Sequence, residues 1–490
     1  MRFYQKSAAF LLCLMVLGSA TGCGEKTDVP ETTQENIQTE TTQVPETETE
    51  RIRANLPERD FGGEDITFFA RVYAGSWSAE DLFVKETTGE VINDALYERE
   101  SYIEETYNVA LELVESMNDD CQQQVETFVS AGEDAYHAIV VSAYNSASLS
   151  MGGMLTDLHT VENMDLSQKW WAQQLNDSMS IVGKQFYAAG DILIIDNKAE
   201  RVFFFNKEIV EELNIPNPYE LVRNDEWTIY AFIKCSEMAV LDLNGDGQMD
   251  RKDDQYGIMA QPNLGLALYI GAGQTVIGKD DTGTPYYHCG TEEALNTMID
   301  ISDKISGKKS ISLSWDLTYS DEITDNVMYF MEGRALFAPE CLLHLEDMRD
   351  SDVNVGILPP PKFYAEQDAY HCFADGYCIN AVSIPVTNTE TEKIGFILEA
   401  MAAESMNTLT PAYIETCLTS KYVQDEDSVE MLELVLESTV IDLGEIYMWN
   451  DIAYLLSDAM YEGSTIASTV SSNQKSVESS IQRTLDALTD

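Results

Sequence analysis

The sequence predicts an α/β fold divided into two lobes. Three observations carry that expectation. Short apolar runs alternate with helical spacings early in the chain, and strands buried on both faces with helical crossovers imply a parallel sheet. The segment "AYHAIVVS" (135–142) is the clearest such strand. After a low-complexity opening, about 430 residues of ordinary globular composition remain, enough for two lobes or more at ~100–200 residues each.

The opening reads as a targeting segment. Arg2 and Lys6 precede a short apolar run, 8–18, too short for a permanent membrane helix. "GSATGC" follows and resembles a bacterial lipobox, with Ala20 where leucine is usual. That resemblance makes residues 1–22 a lipoprotein signal and Cys23 the lipid-modified first residue. An ordinary secretory signal cleaved nearby is the alternative. Residues 23–57 are dominated by Thr, Glu, Gln, Pro and Asn. Such a segment buries too little to offset the entropy of ordering and reads as a disordered linker, with a low-complexity binding tail as the alternative. No later stretch reaches the ~20 apolar residues of a membrane helix. The body is therefore expected outside the cell, held to the membrane by lipid alone.

Net charge is −56, with 29 Lys and Arg against 85 Asp and Glu. Phosphate binding needs clustered basic residues, so nucleic acid and anionic lipid are not expected partners. Beyond Cys13 and Cys23, cysteines stand at 121, 235, 289, 341, 372, 378 and 417. Their number is odd and no CxxC occurs, which indicates neither a disulfide framework nor zinc. Cys372 and Cys378 form the one close pair in sequence, with a bridge between them left open.

The elements follow in order. Strands are expected at 66–70, 110–114 and 135–142, with a helix through Ile92, Leu96 and Ile103. Asp119 or Asp120 could cap a helix running to Val129. "RVFFFNKEIVEEL" (201–213) passes from strand to helix, and Asn224 or Asp225 could cap the next helix. A helix over 321–331 ends at Gly333; "RALFAPE" and "VNVGILPPPK" read as strands. Thr389 and Glu392 form a capping-box pattern ahead of Ile394, Ile397, Leu398 and Met401 at helical spacing. Roughly the last 75 residues read as helical.

Several stretches together resemble family-1 extracellular solute-binding proteins, relatives of maltose-binding protein. They are "GEVINDALYERESYIEETYNV", "RVFFFNKEIVEELNI", "PYELVRNDEWTIYAFIKCSEMA", "DLNGDGQMDRKDDQYGI", "VNVGILPPPKFYAEQDAY" and "IPVTNTETEKIGFILEAMAAES". The resemblance implies a type II periplasmic-binding-protein-like fold over 58–490, two α/β lobes joined by a hinge with a ligand cleft between them. Lobe one would comprise about 58–200 and 374–420, lobe two about 201–373 and 421–490. Crossovers are expected near 203–206, 373–378 and 420. The implied function is a lipid-anchored receptor that captures a solute, a mono- or oligosaccharide, for ABC-type permease subunits, acting as a monomer. The alternatives are the same fold with a non-sugar solute, a secreted polysaccharide-active enzyme, or a calcium-responsive surface protein.

No motif signals catalysis, and no catalytic cofactor is expected. The histidines at 137, 159, 288, 344 and 371 show no ligand spacing, and HExxH and GxSxG are absent. "GAGQTVIG" (271–278) lacks dinucleotide-loop spacing. A sugar cleft needs aromatic faces for C–H stacking and planar polar groups for hydroxyls. Ligands of open α/β sheets sit at strand carboxyl ends. Loops after expected strands supply Tyr73 and Trp77, Tyr144 and Asn145, Asp196, Asn197 and Arg201, Glu340, then Asp375 and Tyr377. "GEIYMWND" supplies Tyr447, Asn450 and Trp449, the last by loose correspondence with a stacking aromatic of the family. Trp170 and Trp171 are adjacent, so one is expected to face the core. Trp227 reads as structural.

One further stretch, "DLNGDGQMDRKDD", has EF-hand-like spacing. Asp242, Asn244, Asp246, Gln248 (by its carbonyl), Asp250 and Asp253 would hold a calcium ion, with Asp254 able to replace Asp253. A strand rather than a helix follows, so a structural clamp is expected instead of a sensor.

Overall fold

Buried apolar segments assemble into two large sheets in a computed structural model that describes residues 51–72, 82–251, 253–313, 325–348, 351–419, 425–463 and 465–489. Cys23, Tyr73 and Trp77 lie outside the described residues.

The first sheet holds β1 (Glu64–Val72), β2 (Val109–Met117), β3 (Ala138–Ser142), β4 (Tyr187–Ala188) and β13 (Asn380–Ser383), in the order β2-β1-β3-β13-β4. β1 runs parallel to β2 and β3, as alternating strand and helix signals require. The helix Val91–Tyr107 makes the first crossover. β13 returns antiparallel to β3, pairing Asn380 with Ser142.

The second sheet holds β5 (Glu200–Asn206), β6 (Tyr256–Ala260), β9 (Ile311–Leu313), β10 (Ala335–Cys341), β11 (Val355–Leu358), β12 (Cys372–Ala374) and β14 (Thr439–Val440). Its order is β14-β12-β5-β10-β6-β9, with β11 also on β5. A separate hairpin pairs β7 (Ile277–Lys279) with β8 (Pro285–Tyr287). β5 is central: every residue is buried, and it pairs antiparallel with β10, β11 and β12.

That burial corrects the crossover expected at 203–206. Phe203, Phe204 and Phe205 are packed on both faces of the sheet, where a hinge would expose them to water. The chain instead passes between sheets over 189–199, then again between Ala374 and Asn380.

Three expected caps are also corrected. The helix Asn118–Ser130 starts earlier than expected, with Met117 at its N-cap, so Asp119 and Asp120 fall inside its first turn. The helix Ile229–Met238 is capped by Thr228, whose hydroxyl accepts from the Ala231 amide; Asp225 adopts φ 59° in the preceding turn. The helix Thr391–Ser405 forms no capping box. Thr389 donates to Asp134 instead, and Glu392 pairs with Arg59. In each case a tertiary partner or the incoming chain direction outweighs a local bond worth ~1 kcal/mol.

Apolar periodicity is realised directly. Ile394, Ile397, Leu398 and Met401 are all fully buried, each contributing roughly 1.5–3 kcal/mol by leaving water. Trp170 and Trp171 both face the core, against the expectation for one of them; the Trp171 indole donates to Glu399 at 2.9 Å. Trp227 is buried and donates to the Pro359 carbonyl at 2.9 Å. Gly257 lets Ile229–Met238 lie close on β6, since a Cβ there would stand 2.1 Å from the Ser236 carbonyl oxygen. Among the described residues, no helix is long and apolar enough to cross a membrane.

Candidate functional site

Charged residues in strand interiors are costly to bury and need partners. Here they collect where the two sheets are joined. Arg201, near the start of β5, is 1% exposed. Its Nη2 donates to Asp375 Oδ2 at 3.0 Å, and its Nη1 lies 3.7 Å from Glu340 Oε2. Because β5 and β10 are antiparallel, the start of β5 lies beside the carboxyl end of β10, which delivers Glu340 to Arg201. Gln261, just after β6, donates to the same Glu340 oxygen at 3.1 Å.

The connection from β12 to β13 passes through this cluster and touches both sheets. The Asp375 amide donates to Ala199 O at 3.1 Å on the second-sheet side. Towards the first sheet, Gly376 O accepts from the Tyr144 amide at 3.2 Å. Arg71, near the end of β1, donates to Tyr377 O at 2.8 Å, with its guanidinium 5.3 Å from the Tyr377 ring centroid. Glu445 closes the arrangement: Oε1 accepts from the Gly376 amide at 3.1 Å.

Several buried polar atoms here have no hydrogen-bond partner among the described residues. They are both side-chain atoms of Asn380, Glu340 Oε1 and Glu445 Oε2. Burial raises the Glu340 carboxyl above its ordinary range, and Arg201 offsets only part of that. Burial, then the neighbouring Asp375 charge, pushes Glu445 well above it. Glu200, buried beside the cluster, is pushed up to about 8 by desolvation. Glu200, protonated below about 8, can donate as well as accept.

The sequence-selected residues separate clearly. Glu340, Asp375, Tyr377 and Tyr144 meet in this cluster, and Arg201 organises them. Asn145 does not join it: its side chain is buried, and Nδ2 contacts Cys121 Sγ at 3.1 Å. Trp449 is 3% exposed, stacks on Tyr447 at 4.9 Å between centroids, and donates to Thr484 at 2.9 Å. It is a packing residue, which corrects its expected stacking role. Asn450 bonds Asn473 at the exposed surface. Asn197 is half-buried in the short helix Ile195–Lys198. That helix also contains Asp196, whose side chain is outside the described residues. Arg71, Gln261, Asn380 and Glu445 were missed. Glu445 stands in the selected stretch "GEIYMWND", where the aromatics drew the assignment.

A surface recess of about 840 Å³, lined by Lys207, Asn214, Tyr219 and Asp425, lies at the other end of β5. It lies at the carboxyl end of β5, beside the amino ends of β10 and β11.

The acidic loop is prefolded by its own side chains. Leu241 and Gln255 exchange backbone bonds at 3.0 Å, closing its base. Asp242 accepts from the Gly245 and Gly247 amides at 2.6 and 2.8 Å. Asn244 accepts from Asp246 N at 2.8 Å, and Asp246 from Gln248 N at 2.7 Å. Gly247, at φ 79°, makes the sharp turn. At the loop's end Asp253 is exposed, whereas Asp254 is buried and accepts from the Leu243 and Asp250 amides at 2.9 and 2.8 Å. The inward carboxylate is therefore Asp254. The following segment is β6.

No family model matches the chain, and no curated protein matches it. Solved structures do. An ABC substrate-binding protein of Listeria monocytogenes, in complex with cycloalternan, aligns over 86% of this chain and 99% of its own at 14% identity, TM-score 0.56. UspC of M. tuberculosis aligns over 85% and 100% at 14% identity, TM-score 0.55. The maltose/maltodextrin-binding domain of Bdellovibrio bacteriovorus, bound to maltotriose, aligns over 85% and 100% at 12% identity, TM-score 0.52. The chain has the α/β fold of these structures.

Proposed function

We propose that this chain is the lipid-anchored, extracellular receptor of an ABC-type importer and that it captures a mono- or oligosaccharide where its two sheets meet. One observation carries the reading: buried amide and carboxyl atoms without partners gather at the strand ends that face the β12–β13 connection. Sugar hydroxyls are donors and acceptors that suit such groups, and the half-buried rings of Tyr144 and Tyr377 offer apolar faces beside them. Tyr73, Trp77, Asp196 and Asn197 keep a proposed ligand role from their places in the sequence. The saccharides in two of the similar structures point the same way.

The site binds by sheet closure and needs no catalytic group, since import would be driven by the transporter's ATPase. The lipobox resemblance at Cys23 supports a lipid tether and an extracellular place. The prefolded loop at Asp242, Asn244, Asp246, Gln248 and Asp250, ending in Asp254, supplies hard oxygen donors suited to a structural calcium ion. Thermal-shift measurement against panels of saccharides, peptides and other solutes tests the function. At least one saccharide should raise the melting temperature. A rise with peptides alone would overturn the sugar reading.

A further inference from the structure

Two thiols meet at the junction of the sheets. Cys341 ends β10, and Cys378 lies in the connection from β12 to β13. Both are free and buried. Their sulfurs and one Asp375 carboxylate oxygen all lie within 4.8 Å of one another. Cys372, the sequence neighbour of Cys378, is placed elsewhere and accepts from the Ser438 hydroxyl at 3.1 Å. The pairing left open between Cys372 and Cys378 is therefore replaced by another.

We propose that Cys341 and Cys378 are an oxidisable pair that forms a disulfide joining the second sheet to the connection leading into the first. A metal ion is the competing use of two thiols and a carboxylate. Arg201 argues against it, because its guanidinium already holds Asp375 at 3.0 Å and would repel a cation there. Closing the bridge requires the two side chains to turn until the sulfurs meet at ~2 Å.

The oxidant is an external disulfide. One protein thiolate attacks it, releasing a thiol and leaving a mixed disulfide. The second protein thiolate attacks that bond and releases the second thiol. Two S–H bonds are lost, one S–S bond forms in the protein, and the external disulfide gains two electrons and two protons. Burial and the contact with Cys341 push the Cys378 thiol well above its ordinary range. Exchange therefore proceeds while the chain folds or when the sheets part, and the finished bridge resists reduction. An exported protein meets such oxidants outside the cytoplasm.

The test uses the purified full-length chain. It is incubated with oxidised glutathione, unfolded under acid quench, alkylated, digested and examined by mass spectrometry. The expected result is a peptide pair linked through Cys341 and Cys378, with a melting temperature several degrees above the reduced form. Cys341→Ser/Cys378→Ser should show no redox dependence of melting. The proposal is overturned if both cysteines remain singly alkylated, if either bridges another cysteine, or if stoichiometric zinc is released on thiol modification. None of these readouts depends on the sugar.

Discussion

Arg201 holds Asp375 at 3.0 Å and faces Glu340 at 3.7 Å, all three drawn from different segments of the second sheet and its exit. Glu340 is fully buried, and Arg201 is the nearest cation to its carboxylate, with Gln261 donating to the same oxygen. Arg201→Met should lower unfolding free energy by roughly 3–5 kcal/mol, because a buried carboxylate is left uncompensated. Arg201→Met/Glu340→Leu should recover much of that loss. Denaturant unfolding of both variants checks this; equal losses would sink it.

Glu200 gives stability a pH slope of known sign. Its folded pKa is about 8 against an ordinary 4.5, so the folded chain holds a proton that the unfolded chain releases. The contribution is fully present below pH 4.5 and is lost as pH rises through 8. Melting temperature should therefore fall across this interval, and Glu200→Gln should flatten the fall. An unchanged slope in the variant would contradict the assignment.

Asn380 separates binding from folding. Neither atom of its buried amide has a partner among the described residues, so Asn380→Ala should change stability by less than about 1 kcal/mol. Affinity for the saccharide identified by thermal shift should drop about tenfold, the equivalent of one lost hydrogen bond. Titration calorimetry and unfolding on the same variant measure both quantities.

Trp449 should behave in the opposite way. It stacks on Tyr447 and donates to Thr484 inside the core. Trp449→Ala should cost about 3–5 kcal/mol of stability. Saccharide affinity, measured at a temperature where the variant stays folded, should hold. A selective loss of affinity would restore Trp449 to the site.

Calcium should raise the melting temperature by binding the folded loop. Asp246→Ala should abolish that rise and leave saccharide affinity unaltered. Calorimetry with calcium chloride decides it.

Much of the architecture was legible because strand and helix periods are properties of short windows. β1, β3, β5 and the stripe from Ile394 to Met401 appear where apolar spacing places them. The cap of Thr391–Ser405 was not, since the distant Asp134 captured the Thr389 hydroxyl. The strand-end rule selected Glu340, Asp375, Tyr377 and Tyr144, which the structure brings together. Asn145 points elsewhere, because consecutive helix residues are turned by ~100° and its side chain is directed away from Tyr144 to Cys121. Arg71 carried a usable signal: an arginine near the end of an apolar strand needs a buried partner. Asn380 carried none, because its role depends on pairing with Ser142 across 238 positions (380 − 142).

The segment Asp375–Tyr377 also acts as a strain gauge between the sheets. The Asp375 amide bonds Ala199 O on one side, and the Gly376 and Tyr377 carbonyls accept from Tyr144 N and Arg71 on the other. Relative rotation of the sheets must stretch the bond from Tyr144 N to Gly376 O before it disturbs either core. Hydrogen exchange at the Tyr144 amide should therefore speed up with each opening, while the Asp375 amide, anchored on Ala199, stays slow. One pair of protons thus reports how often the protein breathes.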